Sequence, residues 1–174
     1  MGTIFIAGVY GVGKSTLARE LALIKKMPHY SSSALISAIN GEQYGRNKSV
    51  KDKYRNQDIL TACVSQLLEE TEQIILTGHF CILGDQNKVE ELPQNVFYNL
   101  ELDSIVLLEA SPDRIVCNLH TRDGIQYPLD TIRALSVQER TCAQLVSNVL
   151  GCPLVIHHMC YDGSDLEILM SKLF

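Results

Sequence analysis

No stretch of this chain approaches the 18 consecutive apolar residues that a membrane-spanning helix needs, so no transmembrane span is expected. The amino terminus lacks a basic segment followed by an apolar one, and no signal peptide is expected. It begins Met-Gly, but Ile6 stands where N-myristoylation requires Ser or Thr. Positive charge is scarce: 15 Lys and Arg against 20 Asp and Glu leave a net charge of −5. That balance disfavours nucleic acid and anionic membrane as non-specific partners. The six cysteines, Cys63, Cys81, Cys117, Cys142, Cys152 and Cys160, contain no C-x-x-C pair. Four of them lie in apolar periodic segments and read as reduced core thiols of a cytoplasmic protein. "VIHHMC" (Val155 to Cys160) has ligand-type residues, but neighbours on a strand point to opposite faces, so packing is the better reading than a metal site. Internal repeats and low-complexity segments are also absent.

What is present fits one domain. A chain of 174 residues, 46% hydrophobic and 20% charged, buries roughly 70% of its unfolded surface in a single core. "TIFIAG" (Thr3 to Gly8) is a short β-branched apolar run, the mark of a buried strand. Leu17, Leu21 and Ile24 then recur at helical spacing before Pro28, and "HYSSS" gives a second short strand. Residues 41 to 50 read as a polar loop. From Lys53 to Glu72 the residues Ile59, Leu60, Cys63, Val64, Leu67 and Leu68 form one helical stripe. "QIILT" (Gln73 to Thr77) and "SIVLLEA" (Ser104 to Ala110) are further buried strands, the second leading into Ser111-Pro112, an N-cap and first-turn proline. A helix from about Leu129 to Leu150, the strand "PLVIHH" and a capping box "SDLE" (Ser164 to Glu167) opening a last helix complete the pattern. Strands alternating with helices imply an α/β fold with a parallel sheet covered on both faces.

Between the first strand and the first helix stands "GVYGVGKST", Gly8 to Thr16. Gly8-x-x-x-x-Gly13-Lys14-Ser15 is the P-loop spacing, in the strand-to-helix context that gives it meaning. Glycines let backbone N–H groups converge on phosphate oxygens, and the helix amino terminus adds its partial positive charge. Gly8, Val9, Tyr10, Gly11, Val12, Gly13, Lys14, Ser15 and Thr16 are therefore the candidate nucleotide cradle. Lys14 would neutralise the β and γ phosphates of ATP, and the Ser15 hydroxyl would join a Mg²⁺ shell.

The order of segments resembles the adenylate kinase-like nucleotide kinases, most closely the archaeal-type adenylate kinases. The likeness runs from "IFIAGVYGVGKSTLARELA" to "YDGSDLEILMSKLF". It implies a P-loop NTPase fold, three layers α/β/α, with a five-stranded parallel sheet in the order 2-3-1-4-5. Residues 1–174 would be one kinase-like domain, with an acceptor-binding helical segment at about 31–72 and a short lid at about 119–133. "SSSALI" (Ser31 to Ile36) resembles the start of the acceptor segment, "ILTGHF" the central strand end, "LHTRDG" the lid and "VQERTCA" the helix bearing the last phosphate-gripping arginine. By that likeness Arg122 and Arg140 join Lys14 as catalytic phosphate ligands. "YDG", with Gly163, resembles the loop that lies against adenine. Arg133, on the helix face of Arg140, is a lesser candidate.

Several candidates carry two readings. Ser31, Ser32 and Ser33 contact the acceptor or cap the next helix. The basic run Arg46, Lys48, Lys51, Lys53 and Arg55 grips an acceptor phosphate or forms a solvated face. His79 hydrogen-bonds the acceptor or packs as a satisfied histidine. The sequence also departs from the family. Ile36-Ser37 stands where an acceptor-binding arginine is usual, "CNLHTRDGIQY" has one arginine where the lid has several, and Thr77 replaces the aspartate of the central strand. Glu109, ending "SIVLLEA", could supply the missing metal-directed carboxylate, or serves structure. The expectation is an ATP-dependent phosphotransferase, with Mg²⁺, passing the γ-phosphate to a nucleoside monophosphate or other small acceptor. The alternative is a nucleotide-binding regulatory ATPase or degenerate kinase that signals to a protein partner.

Overall fold

In the computed structural model, which describes residues 2–41 and 53–174, strand β1 (Gly2–Ala7) is buried along its whole length. It pairs in parallel on one side with β3 (Gln73–Thr77) and on the other with β6 (Leu102–Glu109). A strand flanked by strands and covered on both faces has no solvent side, which is why "TIFIA" lacks polar alternation. The short β2 (His29–Ser31) and β7 (Leu154–His158) form the edges, giving the order β2-β3-β1-β6-β7. That is the expected order 2-3-1-4-5 once a separate antiparallel hairpin, β4 (Cys81–Leu83) with β5 (Val89–Glu91), is counted apart. The hairpin was not expected. Its strands are three residues long, too short for alternation to register.

Helix α1 (Lys14–Lys25) buries Leu17, Ala18 and Leu21. Ile24, assigned above to the same stripe, is 55% exposed, so Ala18 takes its place against the sheet. Helices α2 (Ser32–Asn40) and α3 (Lys53–Glu70) occupy the expected acceptor segment, and Leu60, Val64 and Leu68 bury the face of α3. A short helix α4 (Asn95–Tyr98) brings Val96 and Phe97 to the core. Helix α5 (Pro112–Asp123) starts as expected, the Arg114 amide donating to Ser111 Oγ at 3.3 Å. Residues 119–133, the expected lid, are the end of α5, a connection, and the first turn of α6 (Leu129–Leu150). Helix α7 (Asp165–Leu173) closes the chain, but its capping box does not form. Ser164 Oγ instead donates to Asp162 Oδ1 at 2.6 Å, and Ser164 itself adopts helical backbone angles.

The histidine pair behaves as strand geometry requires. His157 is 1% and His158 72% exposed as side chains, so they face opposite ways. All six cysteines are free, with Cys81, Cys142 and Cys152 buried. Among the described residues no helix is long and apolar enough to cross a membrane.

Candidate active site

The strand order changes direction at β1, and the carboxyl ends of β1 and β3 open there into a cleft, where such sheets bind ligands. Gly8 has φ +141, and a Cβ on it would stand 2.5 Å from the Leu108 carbonyl oxygen. Only glycine lets the chain leave β1 this close to β6. Gly13, directly before α1, has φ 105 and ψ 10, again outside the range of ordinary side chains. The carbonyl oxygens of the loop are held by side chains: Gly11 O accepts from Asn118 Nδ2 at 3.0 Å and Val12 O from the Tyr161 hydroxyl at 3.1 Å. Lys14 Nζ donates to Gly8 O at 2.6 Å and to Val9 O at 2.9 Å. The amides of Gly11 and Gly13 donate to no described residue. Such N–H groups at a helix amino terminus form an anion cradle.

Behind the loop lies a carboxylate that belongs to no sequence motif. Glu139, 1% exposed, accepts at Oε1 from the Gly8 and Phe80 amides (3.1 and 3.0 Å) and at Oε2 from the Phe80 and Cys81 amides (3.0 and 2.7 Å). Burial pushes its pKa up to about 7, against the opposing pull of those N–H groups and of Lys14. A signal for it was available. On α6, Ile132, Leu135, Cys142, Ala143 and Val146 are the buried stripe, and Glu139 falls on that stripe at helical spacing. A lone acid on an apolar face needs donors, and here they are backbone amides.

The expected adenine-side loop is fixed by a second buried acid. Asp165 accepts from the Cys160 and Tyr161 amides at 2.7 and 2.8 Å and meets His157 Nε2 at 2.8 Å. Burial opposes its ionisation, yet the two N–H groups and His157 hold its carboxyl below the usual range. Met159 and Tyr161 thereby lie against the P-loop, where a Cβ on Gly13 would be 3.3 Å from Met159 Cε. Gly163 is exposed, with φ +92 and open space around its Cβ position.

The cleft continues into a cavity of about 480 Å³. The structure brings Tyr10, Lys14, Ser15, Thr16, Ser32, Ser33, Thr77, His79 and Arg122 into its wall. His79 packs its ring on Tyr10, centroids 4.3 Å apart. Ser31 and Ser33 share a hydroxyl contact at 3.0 Å, and Ser31 makes no side-chain cap on α2. Arg122 makes a two-pronged pair with Asp123 at 2.7 and 2.5 Å, and stays half exposed. Thr77 Oγ1 donates to Tyr30 O at 3.3 Å.

Other candidates stand apart. Arg140 and Glu109, expected as catalytic arginine and metal carboxylate, are absent from this wall and bind each other, at 2.6 and 2.5 Å. His158 is also 3.4 Å from Glu109. The reason is local: Arg140 follows Glu139, so turning Glu139 into the core turns Arg140 outward. Arg133 pairs with Asp130 on the surface. Arg55 is exposed on α3 and outside the wall. Arg46, Lys48, Lys51 and the side chain of Lys53 lie outside the described residues.

For a divalent cation the described wall offers hydroxyls, with Ser15 the one directly after the P-loop lysine, and no carboxylate. Among the described residues no three His, Cys, Asp or Glu gather as a metal site. The cradle fits a polyphosphate, and it fits a magnesium ion carried by that polyphosphate with Ser15 as its protein ligand.

The sequence profile of the AAA domain family (AAA_17) matches residues 7–136. A shikimate kinase of Synechococcus sp. (strain JA-3-3Ab) is 28% identical over 127 residues, 73% of this chain and 62% of that protein. An adenylate kinase of Treponema denticola is 28% identical over 130 residues, 70% of this chain and 58% of that protein. The chain thus spans less than two thirds of either relative's length. A shikimate kinase from Acinetobacter baumannii, solved in complex with shikimate, is alike in fold: TM-score 0.63 at 15% identity, over 99% of this chain and 91% of that one.

Proposed function

The chain belongs to the AAA domain family, and from that premise we propose that it is an ATP-dependent phosphotransferase acting on a small molecule. The observation that carries this reading is a P-loop, with Lys14 and Ser15, lining one end of a partly open cavity that also receives Arg122. A module that only held nucleotide would have no use for the part of the cavity that runs beyond the P-loop to Gln57 and Phe97. Lys14, on leaving the Gly8 and Val9 carbonyls, would bridge the β and γ oxygens, and Arg122 would neutralise the migrating group. Magnesium, when bound, would neutralise further charge on those oxygens, with Ser15 as the residue to hold it. An acceptor seated in the cavity would displace water from beside the γ-phosphate, which would direct the phosphoryl group to it rather than to hydrolysis.

The relatives named for shikimate and adenylate phosphorylation stand at equal identity. Identity to these relatives therefore does not choose between a nucleotide and another small acceptor. Free thiols at Cys81 and Cys142 fit a cytoplasmic setting. One observation favours a second reading, a regulatory ATPase with a protein partner: the described wall holds one arginine and no carboxylate. An ATP-consumption screen against nucleosides, nucleoside monophosphates and shikimate separates the two. Acceptor-stimulated turnover, lost in Lys14→Ala while the variant keeps its circular dichroism, is expected. Slow hydrolysis that no acceptor stimulates would refute the phosphotransferase reading, and unchanged ATP binding by Lys14→Ala would refute the P-loop assignment.

A further inference from the structure

Resting on the phosphotransferase reading, we infer that the acceptor is an uncharged hydroxyl compound with a planar hydrogen-bonding group, a nucleoside in chemical class, rather than a phosphate or carboxylate. Among the described wall residues only Lys14 and Arg122 carry a full charge. Both belong to the donor end: Lys14 is in the P-loop, and Arg122 is one turn beyond Asn118, which holds Gly11 O. Away from that end the wall is Ile36, Leu60, Val96, Phe97 and Leu100, with the amides of Asn56 and Gln57. An anionic group seated there would lose its hydration with no cation among the described wall residues to replace it.

The same wall contains polar groups with nothing to bind. Gln57 is 8% exposed, and its Nε2 is buried without a hydrogen-bond partner. Ser32 Oγ, also in the wall, is buried and unpartnered as well. Neighbouring Asn56 differs, since its Oδ1 accepts from Asn40 Nδ2 at 2.9 Å. Buried donors are normally satisfied, so an exception that lines a cavity points to a ligand acceptor atom. A carboxamide pairs best with the edge of a planar group that offers both an acceptor and a donor. Aromatic side chains border the cavity: Phe5 and Phe97 are among the lining residues, and the His79 ring rests on Tyr10. The cavity, about 480 Å³ with its P-loop end included, leaves room beyond the loop for a small acceptor.

In the reaction the bond from the γ-phosphorus to its bridging oxygen breaks, and ADP leaves with that electron pair. A bond forms from the acceptor oxygen to phosphorus, and the hydroxyl proton is released to water. The acceptor enters neutral and leaves as a monophosphate.

The test uses the full chain saturated with the non-hydrolysable analogue AMP-PNP. Calorimetry compares adenosine, guanosine, cytidine, uridine and thymidine, each against its own 5′-monophosphate, and ATP turnover is followed with the same panel. At least one nucleoside should bind roughly 100-fold more tightly than its monophosphate and stimulate turnover. Gln57→Leu should raise the KM for that nucleoside by roughly 10- to 100-fold while AMP-PNP affinity stays as in wild type. A monophosphate that binds as well as its nucleoside overturns the inference. So does an unchanged nucleoside affinity in Gln57→Leu, or the binding of no nucleoside by protein that binds AMP-PNP. Failure to bind AMP-PNP at all removes the phosphotransferase reading, and this inference with it.

Discussion

Replacing Glu139 by glutamine tests the least expected part of the site. The side chain is 1% exposed and serves three backbone amides. Its pKa, raised from 4.5 to about 7, corresponds to about 3 kcal/mol at 1.36 kcal/mol per unit. A raised native pKa means that the folded protein holds a proton which the unfolded chain releases. The contribution is therefore full below about pH 4.5 and declines as pH climbs through 7. Glutamine does not titrate. Its single oxygen can accept from two of the amides, leaving the third opposite an NH₂ group at a pH-independent cost of about 1–3 kcal/mol. Urea unfolding of both proteins from about pH 5 to about pH 8 should thus show wild type losing about 2–3 kcal/mol relative to Glu139→Gln over that range. Curves that stay parallel would refute the reasoning, because they would mean that three N–H donors and Lys14 keep the group ionised throughout.

Arg122 and Arg140 should part company. Arg122→Ala removes the one arginine of the described wall and should lower kcat by roughly 10² with little change in ATP affinity. Arg140→Ala breaks a half-exposed pair with Glu109 and should cost at most about 1 kcal/mol of stability, with turnover kept. Steady-state kinetics on both variants checks this, and a kcat loss in Arg140→Ala alone would reverse the assignment. At Thr77, ATP should bind nearly as well in EDTA as in magnesium, and Thr77→Asp should raise magnesium dependence and rate by roughly 10-fold or more. A magnesium titration in which wild type is already strongly dependent would place another carboxylate at the ion.

The donor half was legible because its physics is local. Gly8, Gly13 and Lys14 sit within seven residues between a buried strand and a helix, and each backbone requirement shows as a residue type. The sheet was legible for a related reason: β1, β3 and β6 are buried on both faces and read as apolar runs. The rest depends on contacts far apart in sequence. Glu139 meets Gly8 across 131 residues, and Tyr161 meets Val12 across 149. Arg140 matched a family position, but which way it points depends on the register of α6, which Glu139 sets. Gln57 and Asn56 stand one turn before Leu60 on the buried side of α3, a polar start to an apolar stripe. Periodicity alone could not say that the stripe there faces a cavity.

Glu139 also explains how the two halves of the site keep their spacing. A P-loop points several amides at its ligand, but the Gly8 amide points into the core, where no water can meet it. The chain leaving β3 has the same problem at Phe80 and Cys81, whose amides are buried as well. One carboxylate meets all three. In doing so it bonds the first residue of the donor loop to the residues that lead into β4, where Ile82 forms part of the acceptor wall. Phosphoryl transfer requires the attacking and leaving oxygens in line, and a displacement of about 1 Å can cost roughly 100-fold in rate. Two loops joined through a shared carboxyl group cannot drift independently. When ionised, the group places negative charge behind an anion site, and Lys14, which acts on it electrostatically, must also meet the phosphates. The same lysine thus links the stability of the buried carboxylate to the occupancy of the nucleotide site.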